Sequence, residues 1–357
     1  MDTHLTNISV FAELMGIDSK TLQHWYIEYL SGFVPEGQQG IHTNDILVKS
    51  GNKSSTVEVP IVCSENIGAN MAIDEKMIGE EYYTILTNRD TGKIALCAAT
   101  TKSAYLQQAM LPVLPHLEQI KTITRDMAGS YSKLCNELMP SAMQIADKFH
   151  VISNMIDALQ AVRIRHRQKI LEQRRNAFQL FKQEEKLRRE ECERNGSKYS
   201  AKKFSYNEPR LSNGETPSEI LSRSHFLLYK FPHQWKPSQR NRAMVLFENF
   251  PEIEKAYELA CHFRTWYAKE NINKHHLQIE KELFTWYEEV EDCDIDEMTN
   301  FKSLVESNED VVTAYFVNGH TNAIAENLNG RIKKYIASNG FYFLLCSKIR
   351  IKLNKNI

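Results

Sequence analysis

The pattern of apolar and polar residues first predicts two short helices near the amino terminus. One covers residues 10–15 and ends at Gly16, and Asp18 or Ser19 can cap the second. The apolar positions of the second helix recur at intervals of three and four residues: Leu22, Trp25, Tyr26 and Tyr29. This outline fits either a helix-turn-helix or a plain helical hairpin. In a helix-turn-helix, four side chains near the start of the second helix would face DNA: Lys20, Thr21, Gln23 and His24.

Residues 31–68 have little periodicity and predict a linker that holds one or two short strands, around 46–48 and 57–62. After the linker the pattern changes to short β-rich runs. The run 70–74 ends in Asp74, and two further runs flank Asn88-Arg89-Asp90-Thr91-Gly92, which is a hairpin signal. These runs predict three antiparallel strands.

An amphipathic helix is predicted next, over about residues 103–116, followed by a strand at 120–125 that leads to Asp126. A helix at about 130–138 and a fifth strand at 142–146, ending at Asp147, complete this region. Three strands, helix, strand, helix and strand is the order of an RNase H-like core. We therefore expect an α/β fold with a mixed five-stranded sheet, preceded by the small amino-terminal helix-turn-helix.

The rest of the chain has a helical pattern. A long stretch from 150 to about 195 has no Pro or Gly before its end, residues 195–219 predict a flexible loop, and residues 220–307 are again helical. The large apolar side chains of that last stretch predict a helical core, with stacking on a DNA base as the alternative for Trp235, Trp266 and Trp286. A final helix is predicted over about 321–335.

Composition narrows the class of protein. The 357 residues are 42% hydrophobic and 25% charged, which is typical of globular domains and excludes collagen and disordered chains. No apolar run approaches the roughly 20 residues that span a bilayer, and the first residues lack a signal-peptide pattern. Seven scattered cysteines without a CxxC pair favour reduced thiols over a zinc ribbon. We expect a cytoplasmic or nuclear protein with no membrane partner.

Charge is distributed unevenly along the chain. The formal net charge is only -1, but residues 163–210 hold 15 Lys or Arg against 7 acids, a net charge of +8. Residues 280–310 hold 12 acids against 2 lysines, a net charge of -10. A polyanion would therefore meet the first segment and avoid the second.

Carboxylates are the remaining candidates for chemistry, because dinucleotide, P-loop, HExxH and nucleophile-elbow motifs are absent. In an RNase H-like sheet the first and fourth strands are neighbours, so Asp74 and Asp126 would lie side by side. Carboxylates at one sheet edge can hold divalent cations and support an in-line phosphodiester displacement. By proximity Glu75 and Asp147 compete for the same roles, and composition does not choose among the four.

Three motifs resemble the DDE transposases of the ISL-three insertion-sequence family. The run ITRDMAGSYSKLCNELMPSAMQIADKFHVISNM is similar to their second-aspartate segment, NMAIDEKMI to their first-aspartate strand, and GHTNAIAENLNGRIKKY to their third segment. The motifs occur in the family's order, and with FPHQWKPSQRNRAMVLFENFPEIEKAYELACHFRTWY the resemblance covers about residues 65–350.

The resemblance implies a function and a set of site residues. It implies Asp74, Asp126 and Glu326 as catalytic carboxylates that hold two Mg²⁺ or Mn²⁺ ions, rather than Glu75 or Asp147. The side chains that would support them are Asp147, His150, Asn322, Asn329 and Lys333. The implied activity is metal-dependent cleavage and strand transfer of DNA by a bacterial, nucleoid-associated protein. Its partners would be the terminal inverted repeats, target DNA and, when DNA is bound, a second copy of the chain.

The family fold and the sequence pattern together imply four regions. The interrupted core of the family corresponds to 69–150 with 311–350, and its all-helical insertion to 151–310; the sequence pattern itself predicts the other two, a helix-turn-helix at 1–35 and a linker at 36–68. Relatives commonly begin with a cysteine zinc-binding module, which this sequence lacks, so recognition of the element ends would depend on the helix-turn-helix. Two alternatives to an active transposase are an inert DNA-binding regulator and an RNase H-like nuclease that does not join strands.

Overall fold

The computed structural model describes residues 8–25, 46–50, 53–57, 59, 61–78 and 81–318. Described residues up to Val151, together with those from Asn308 onwards, form one compact unit, and Ile152–Ser307 form a second. None of the helices in these ranges is both long enough and apolar enough to cross a membrane.

The first unit contains a mixed six-stranded sheet and a separate hairpin. The hairpin consists of β1 (Ile46–Ser50) and β2 (Lys53–Val57). The bounds of the sheet strands are β3 (Ile61–Val62), β4 (Asn70–Ile78), β5 (Glu81–Asn88), β6 (Ile94–Ala98), β7 (Thr122–Arg125) and β8 (Met143–Ala146). Their order across the sheet is β3-β6-β5-β4-β7-β8. The pairs formed by β3, β6, β5 and β4 are antiparallel, whereas β4–β7 and β7–β8 are parallel.

The predicted adjacency of the first and fourth core strands is confirmed, because β4 and β7 pair directly. The prediction of five strands was wrong, since β3 adds a sixth at the edge of the sheet. Ile61 and Val62 of β3 pair with Cys97 and Leu96. A two-residue strand has no measurable alternation of its own, so its pairing partner is decided by tertiary contacts.

The hairpin between β5 and β6 forms where the sequence predicts it. The backbone N–H of Asn88 donates to the Lys93 carbonyl at 2.8 Å, and Gly92 has a φ of 71°. The Asn88 side-chain oxygen accepts the backbone N–H groups of Asp90 and Thr91. Asparagine and glycine therefore bend the turn and satisfy most of it locally, and the Asn70 carbonyl adds a contact from outside by accepting the Arg89 backbone N–H at 2.8 Å.

Two helices pack on one face of the sheet. They are α3 (Ser103–Ala109) and α4 (Gly129–Leu138), and they cover a core that includes Met71, Ile73, Leu86, Ile123 and Tyr131. The predicted helix at 103–116 was too long, because α3 ends at Ala109 and a 3₁₀ helix, Leu111–Gln119, follows. Pro112 and Pro115 explain this difference, since proline lacks the N–H that an α-helix interior requires.

The amino-terminal helical pair also forms, as α1 (Ile8–Met15) and α2 (Ser19–Trp25). Gly16 joins them with a φ of 63°, a left-handed conformation that favours glycine. Asp18 Oδ2 accepts the backbone N–H of Thr21 at 3.0 Å, which caps the start of α2. Leu22 is buried as expected, but Trp25 is exposed, and Tyr26 and Tyr29 lie outside the described residues.

The second unit is helical in its described regular elements. The long predicted helix is confirmed as α5 (Lys148–Arg194), which begins in the first unit. The remaining helices of this unit are α6 (Pro217–Arg223), α7 (Pro237–Asn249), α8 (Pro251–Trp266), α9 (His276–Cys293) and α10 (Asp296–Glu306). Two short helices of the first unit follow, α11 (Glu309–Thr313) and α12 (Tyr315–Asn318). The final predicted helix, at about 321–335, lies outside the described residues.

Two of the three tryptophans of the second unit belong to its hydrophobic core, and the third, Trp235, is half-buried. Trp266 and Trp286 are buried, and their indole N–H groups donate to the carbonyls of Ile279 at 3.1 Å and Leu259 at 3.0 Å. The indole N–H of Trp235 donates to the Leu227 carbonyl at 3.1 Å. Phe284 differs from the predicted core pattern, since it is 60% exposed. Buried rings with satisfied indole groups fit core packing rather than DNA stacking.

Candidate active site

The sheet register brings three aspartates to one edge. Ala72 of β4 pairs with Thr124 of β7. Asp74 and Asp126 each lie two residues further along the chain, Asp74 within β4 and Asp126 directly after β7. Arg125 pairs with Ala146 of β8, and the next backbone N–H, that of Asp147, donates to the Arg125 carbonyl at 2.7 Å. Asp74, Asp126 and Asp147 therefore share a level at this edge of the sheet, Asp74 within β4 and the other two directly after β7 and β8.

Asp74 does not end its strand, contrary to the sequence prediction. Strand β4 continues to Ile78, and Asp74 pairs with Ile85 of β5. The acid lies instead where the parallel pairing with β7 stops. Burial raises the pKa of Asp74, a positive charge on His150 lowers it, and the charge of Asp147 raises it. Its Oδ1 atom accepts the backbone N–H of Glu75 at 2.8 Å.

Asp126 follows β7 directly and is oriented by the turn that leads into α4. Its Oδ1 atom accepts the backbone N–H of Ala128, the residue before α4, at 2.7 Å. The neighbouring Arg125 is buried, and it donates to the Asp126 carbonyl and to Gln144 Oε1, both at 2.7 Å. Burial lowers the pKa of Arg125, and the Cys135 and Asp126 groups raise it. These bonds fix the backbone that carries the Asp126 carboxylate.

Asp147 and His150 lie together at the start of α5. The Asp147 side chain is only 3% exposed, and its Oδ1 atom accepts the backbone N–H of Phe149 at 3.0 Å. His150 Nδ1 lies 3.5 Å from Asp147 Oδ2, a distance that gives an ion pair when the ring is protonated. Within the described residues this buried Nδ1 atom makes no hydrogen bond. Both groups also act on Asp74: besides burial, which raises the pKa of that carboxyl, a positive charge on His150 lowers the pKa and the charge of Asp147 raises it.

Glu75 is the competing acid on β4. It is exposed, and its pKa is raised by partial burial and then by the charges of Asp126 and Asp74. Burial raises the pKa of Tyr131 strongly, and the same acids contribute; its hydroxyl lies 3.1 Å from Thr84 Oγ1. Glu75 pairs with Thr84 across β4 and β5, so it lies on the α4 face, the opposite face from Asp74.

The acids at this edge supply oxygen donors of the kind that Mg²⁺ and Mn²⁺ prefer. Burial is the main cause of the raised pKa values of Asp74 and Glu75, and the charges of neighbouring acids add to it; a divalent cation would offset both effects. Over the described ranges, no group of three or more His, Cys, Asp or Glu side chains is arranged to hold a metal ion. The donors therefore fit such an ion chemically but need a further ligand.

Four predicted site residues lie outside the described residues: Asn322, Glu326, Asn329 and Lys333. The chain that leads towards them is nevertheless positioned at the same part of the sheet. Helix α11 packs against β8, and Lys148 Nζ donates to the Tyr315 hydroxyl at 2.9 Å. Sequence reasoning missed this Lys148–Tyr315 contact, for which the separation of 167 residues left no local signal.

Sequence reasoning also missed a buried arginine on the face of the sheet that carries Asp74. Arg89 lies in the β5–β6 hairpin and donates through a guanidinium nitrogen to Thr124 Oγ1. Asn70 ties the same corner together, since it accepts from Thr122 Oγ1 at 2.8 Å and donates to Asp90. A turn arginine is ordinarily exposed, so only the fold distinguishes Arg89 from a surface residue.

Of the predicted DNA-facing residues, Lys20, Thr21 and His24 are exposed on α2. The Gln23 side chain lies outside what the structure describes. Thr21 also donates through its hydroxyl to Asp18 Oδ2 at 3.2 Å, so part of its hydrogen-bonding capacity is used in the helix cap.

The family comparison identifies the class of protein. A family described as "Transposase", the DDE transposases of the ISL-three type, matches residues 71–341. This range starts in β4 and is more than half of the chain, so the protein belongs to this transposase family. No curated protein and no solved structure is significantly similar to the chain.

Proposed function

We propose that the protein catalyses DNA transposition: it binds the inverted ends of its own mobile element, cleaves them and joins the freed 3′-hydroxyls to target DNA. The observation that carries this proposal is the matched position of Asp74 and Asp126 on the neighbouring parallel strands β4 and β7 of a transposase-family chain. Such a pair of carboxylates supports phosphoryl transfer and has no evident role in stabilising the sheet.

Three carboxylates, Asp74, Asp126 and Glu326, would hold two Mg²⁺ or Mn²⁺ ions in this proposal. When bound, these ions activate the attacking oxygen and neutralise charge on the leaving oxygen of an in-line displacement. The Ala128 N–H donates to Asp126 Oδ1 at 2.7 Å and so orients this carboxylate. Asp147 and His150 would position the neighbouring acid or a DNA phosphate, with Asn322, Asn329 and Lys333 in supporting contacts.

The proposed architecture is an RNase H-like core interrupted by the helical second unit, with α1 and α2 as a helix-turn-helix. The six-stranded order with β4 beside β7 supports the core, and the capped turn at Gly16 supports the helical pair. Lys20, Thr21, Gln23 and His24 would contact the inverted repeats. Two element ends must meet before strand transfer, so we propose that the DNA-bound form is a homodimer.

Cleavage and strand transfer of labelled DNA that carries the element's inverted repeats test this proposal. With Mg²⁺ or Mn²⁺, the wild-type protein should release and join 3′-ends, whereas Glu326→Gln should bind the same DNA without cleaving it. Affinity should fall steeply with salt, because Lys and Arg contacts to phosphates release counterions. Tight binding without cleavage in either protein would contradict the enzyme proposal and favour an inert DNA-binding regulator.

A further inference from the structure

An open groove of about 520 Å³ lies in the second unit, between α5 and the loop that follows this helix. Its volume is in the range of small-ligand sites. Its walls combine arginine and aromatic side chains, and the residues that line it are Gln168, Leu171, Arg174, Arg175, Phe178 and Phe204. This groove is formed entirely by residues outside the unit that holds Asp74 and Asp126.

The aromatic wall of the groove is built by a loop that folds back on α5. Glu185 anchors the loop by accepting the Tyr199 hydroxyl at 2.7 Å and the Lys202 backbone N–H at 3.1 Å. The Phe204 ring then meets the Phe178 ring edge to face, with centroids 4.9 Å apart. It also contacts Phe181, at 5.4 Å between centroids. The wall therefore exists before any ligand binds.

The groove leaves part of this aromatic surface in solvent. Phe178 is 37% exposed although it contacts Phe204, and Lys182 Nζ lies 4.6 Å from the centre of its ring. This cation–π contact keeps a positive charge next to the exposed aromatic surface. Neither Phe178 nor Phe204 is among the buried core side chains of the second unit, which include Phe263 and Trp286.

The charge of the groove is positive and is not neutralised locally. Arg174 and Arg175 are exposed and form no ion pair with an acid in the described ranges. Further along α5, by contrast, Arg188 pairs with Glu185 and Arg189 with Glu193. The nearest acid in sequence is Glu172. One acid against two arginines leaves this part of α5 with an excess of positive charge.

We propose that this groove binds single-stranded DNA, with an unpaired base against Phe178 and Phe204 and the adjoining phosphates on Arg174 and Arg175. Paired bases are stacked inside a duplex and cannot reach such rings, whereas an unpaired base offers its face to an aromatic side chain. This inference deepens the proposed function. It rests on that function only for the source of the single strand, which would be an opened end of the element.

The test uses the full-length protein and a short DNA strand that carries 2-aminopurine, whose fluorescence falls when the base stacks. Wild-type protein should quench this probe. Phe204→Leu keeps apolar bulk in the loop but removes the ring, and it should weaken binding about tenfold and remove the quench. Arg174→Gln with Arg175→Gln should lower the slope of log affinity against log salt by about 1.4.

Arg189→Gln is the matched control, since Arg189 lies on the same helix and its charge is already paired with Glu193. It should leave both the quench and the affinity close to those of the wild type. If the protein quenched the probe in a blunt duplex as much as in the single strand, the preference for unpaired bases would be overturned. A changed oligomeric state of DNA-free Phe204→Leu protein would instead assign the groove to contact between copies.

Cleavage measured in parallel separates this inference from the proposed function. If the groove variants quench like the wild type while Asp126→Asn loses cleavage, the groove inference is wrong and the transposase proposal stands. If no protein cleaves DNA but the quench still depends on Phe204, the groove binds single strands and the proposed reaction is wrong.

Discussion

Lys148 Nζ donates a 2.9 Å hydrogen bond to the hydroxyl of Tyr315, and the same ammonium group lies 4.8 Å from the centre of the Tyr315 ring. Lys148 begins α5 directly after Asp147, and Tyr315 begins α12, which is fully buried at this residue. This contact joins the start of α5 to the chain segment that precedes Glu326.

Tyr315→Phe should reduce both stability and cleavage. The lost hydrogen bond is expected to lower the free energy of unfolding by about 1 kcal/mol, while the buried ring keeps its packing. Tyr105→Phe is the matched control, because this half-buried tyrosine contacts Lys102 through its ring. Chemical denaturation and cleavage assays on both variants check the prediction. Equal effects of the two substitutions would contradict a positioning role for Tyr315.

Asp126→Asn should remove cleavage while leaving the fold intact. Asparagine keeps a side-chain oxygen for the Ala128 N–H, but it loses the charge that would hold a divalent cation. We expect cleavage to fall by about 1000-fold or more, and DNA binding to change little. Glu118→Gln removes an exposed acid from the same unit and should cleave normally. A retained activity in Asp126→Asn would show that another acid, such as Asp147, serves as the second carboxylate.

Asp74→Asn should stabilise the fold at neutral pH. Burial raises the pKa of Asp74 above its usual 3.8, so the folded state binds more protons than the unfolded state between the two pKa values. Stability from this group is therefore lost as pH rises through that window, and the neutral amide avoids the loss. The melting temperature should exceed that of the wild type at pH 7, and the difference should disappear below about pH 4.

Glu75→Gln serves as the paired variant for Asp74→Asn. The pKa of Glu75 is raised as well, by partial burial and by the charges of Asp126 and Asp74, so its removal should also increase the melting temperature at pH 7. Only Asp74→Asn is expected to lose cleavage. Loss of cleavage in Glu75→Gln alone would exchange the roles of these two neighbours on β4.

Glu215→Gln should destabilise the second unit at neutral pH, in contrast to the stabilising effect expected of Asp74→Asn. Arg242 and Arg223 donate to this buried carboxylate, at 2.9 Å and 3.0 Å, and hold its pKa below the usual 4.5. The stability it contributes is present above pH 4.5 and is lost as pH falls through the lowered folded pKa. We expect the substitution to lower the free energy of unfolding by about 2 kcal/mol at pH 7, measured by chemical denaturation. The difference from the wild type should become smaller in acid. An equal loss at pH 3 would indicate packing rather than charge.

Several elements were predictable because their causes are local. The hairpin at Asn88–Gly92 satisfies its own turn, and the run from 150 to 195 contains no residue that breaks a helix before its end. The first two acids were chosen from a resemblance to a family, and their roles stay a prediction. The helix predicted at 103–116 is shorter in the structure because Pro112 and Pro115 prevent an α-helix from continuing, although apolar residues recur there with helical spacing.

By itself the sequence determined most of the element types and their order along the chain, since alternation, turn residues and helix breakers act over a few residues. Only the tertiary structure decided that Asp74 lies within β4, that β3 adds an edge strand and that Phe204 folds back on α5. These outcomes depend on which distant backbone and side-chain groups satisfy one another. The matching level of Asp74 and Asp126 is of this kind, because a one-residue shift between β4 and β7 would send their side chains to opposite faces.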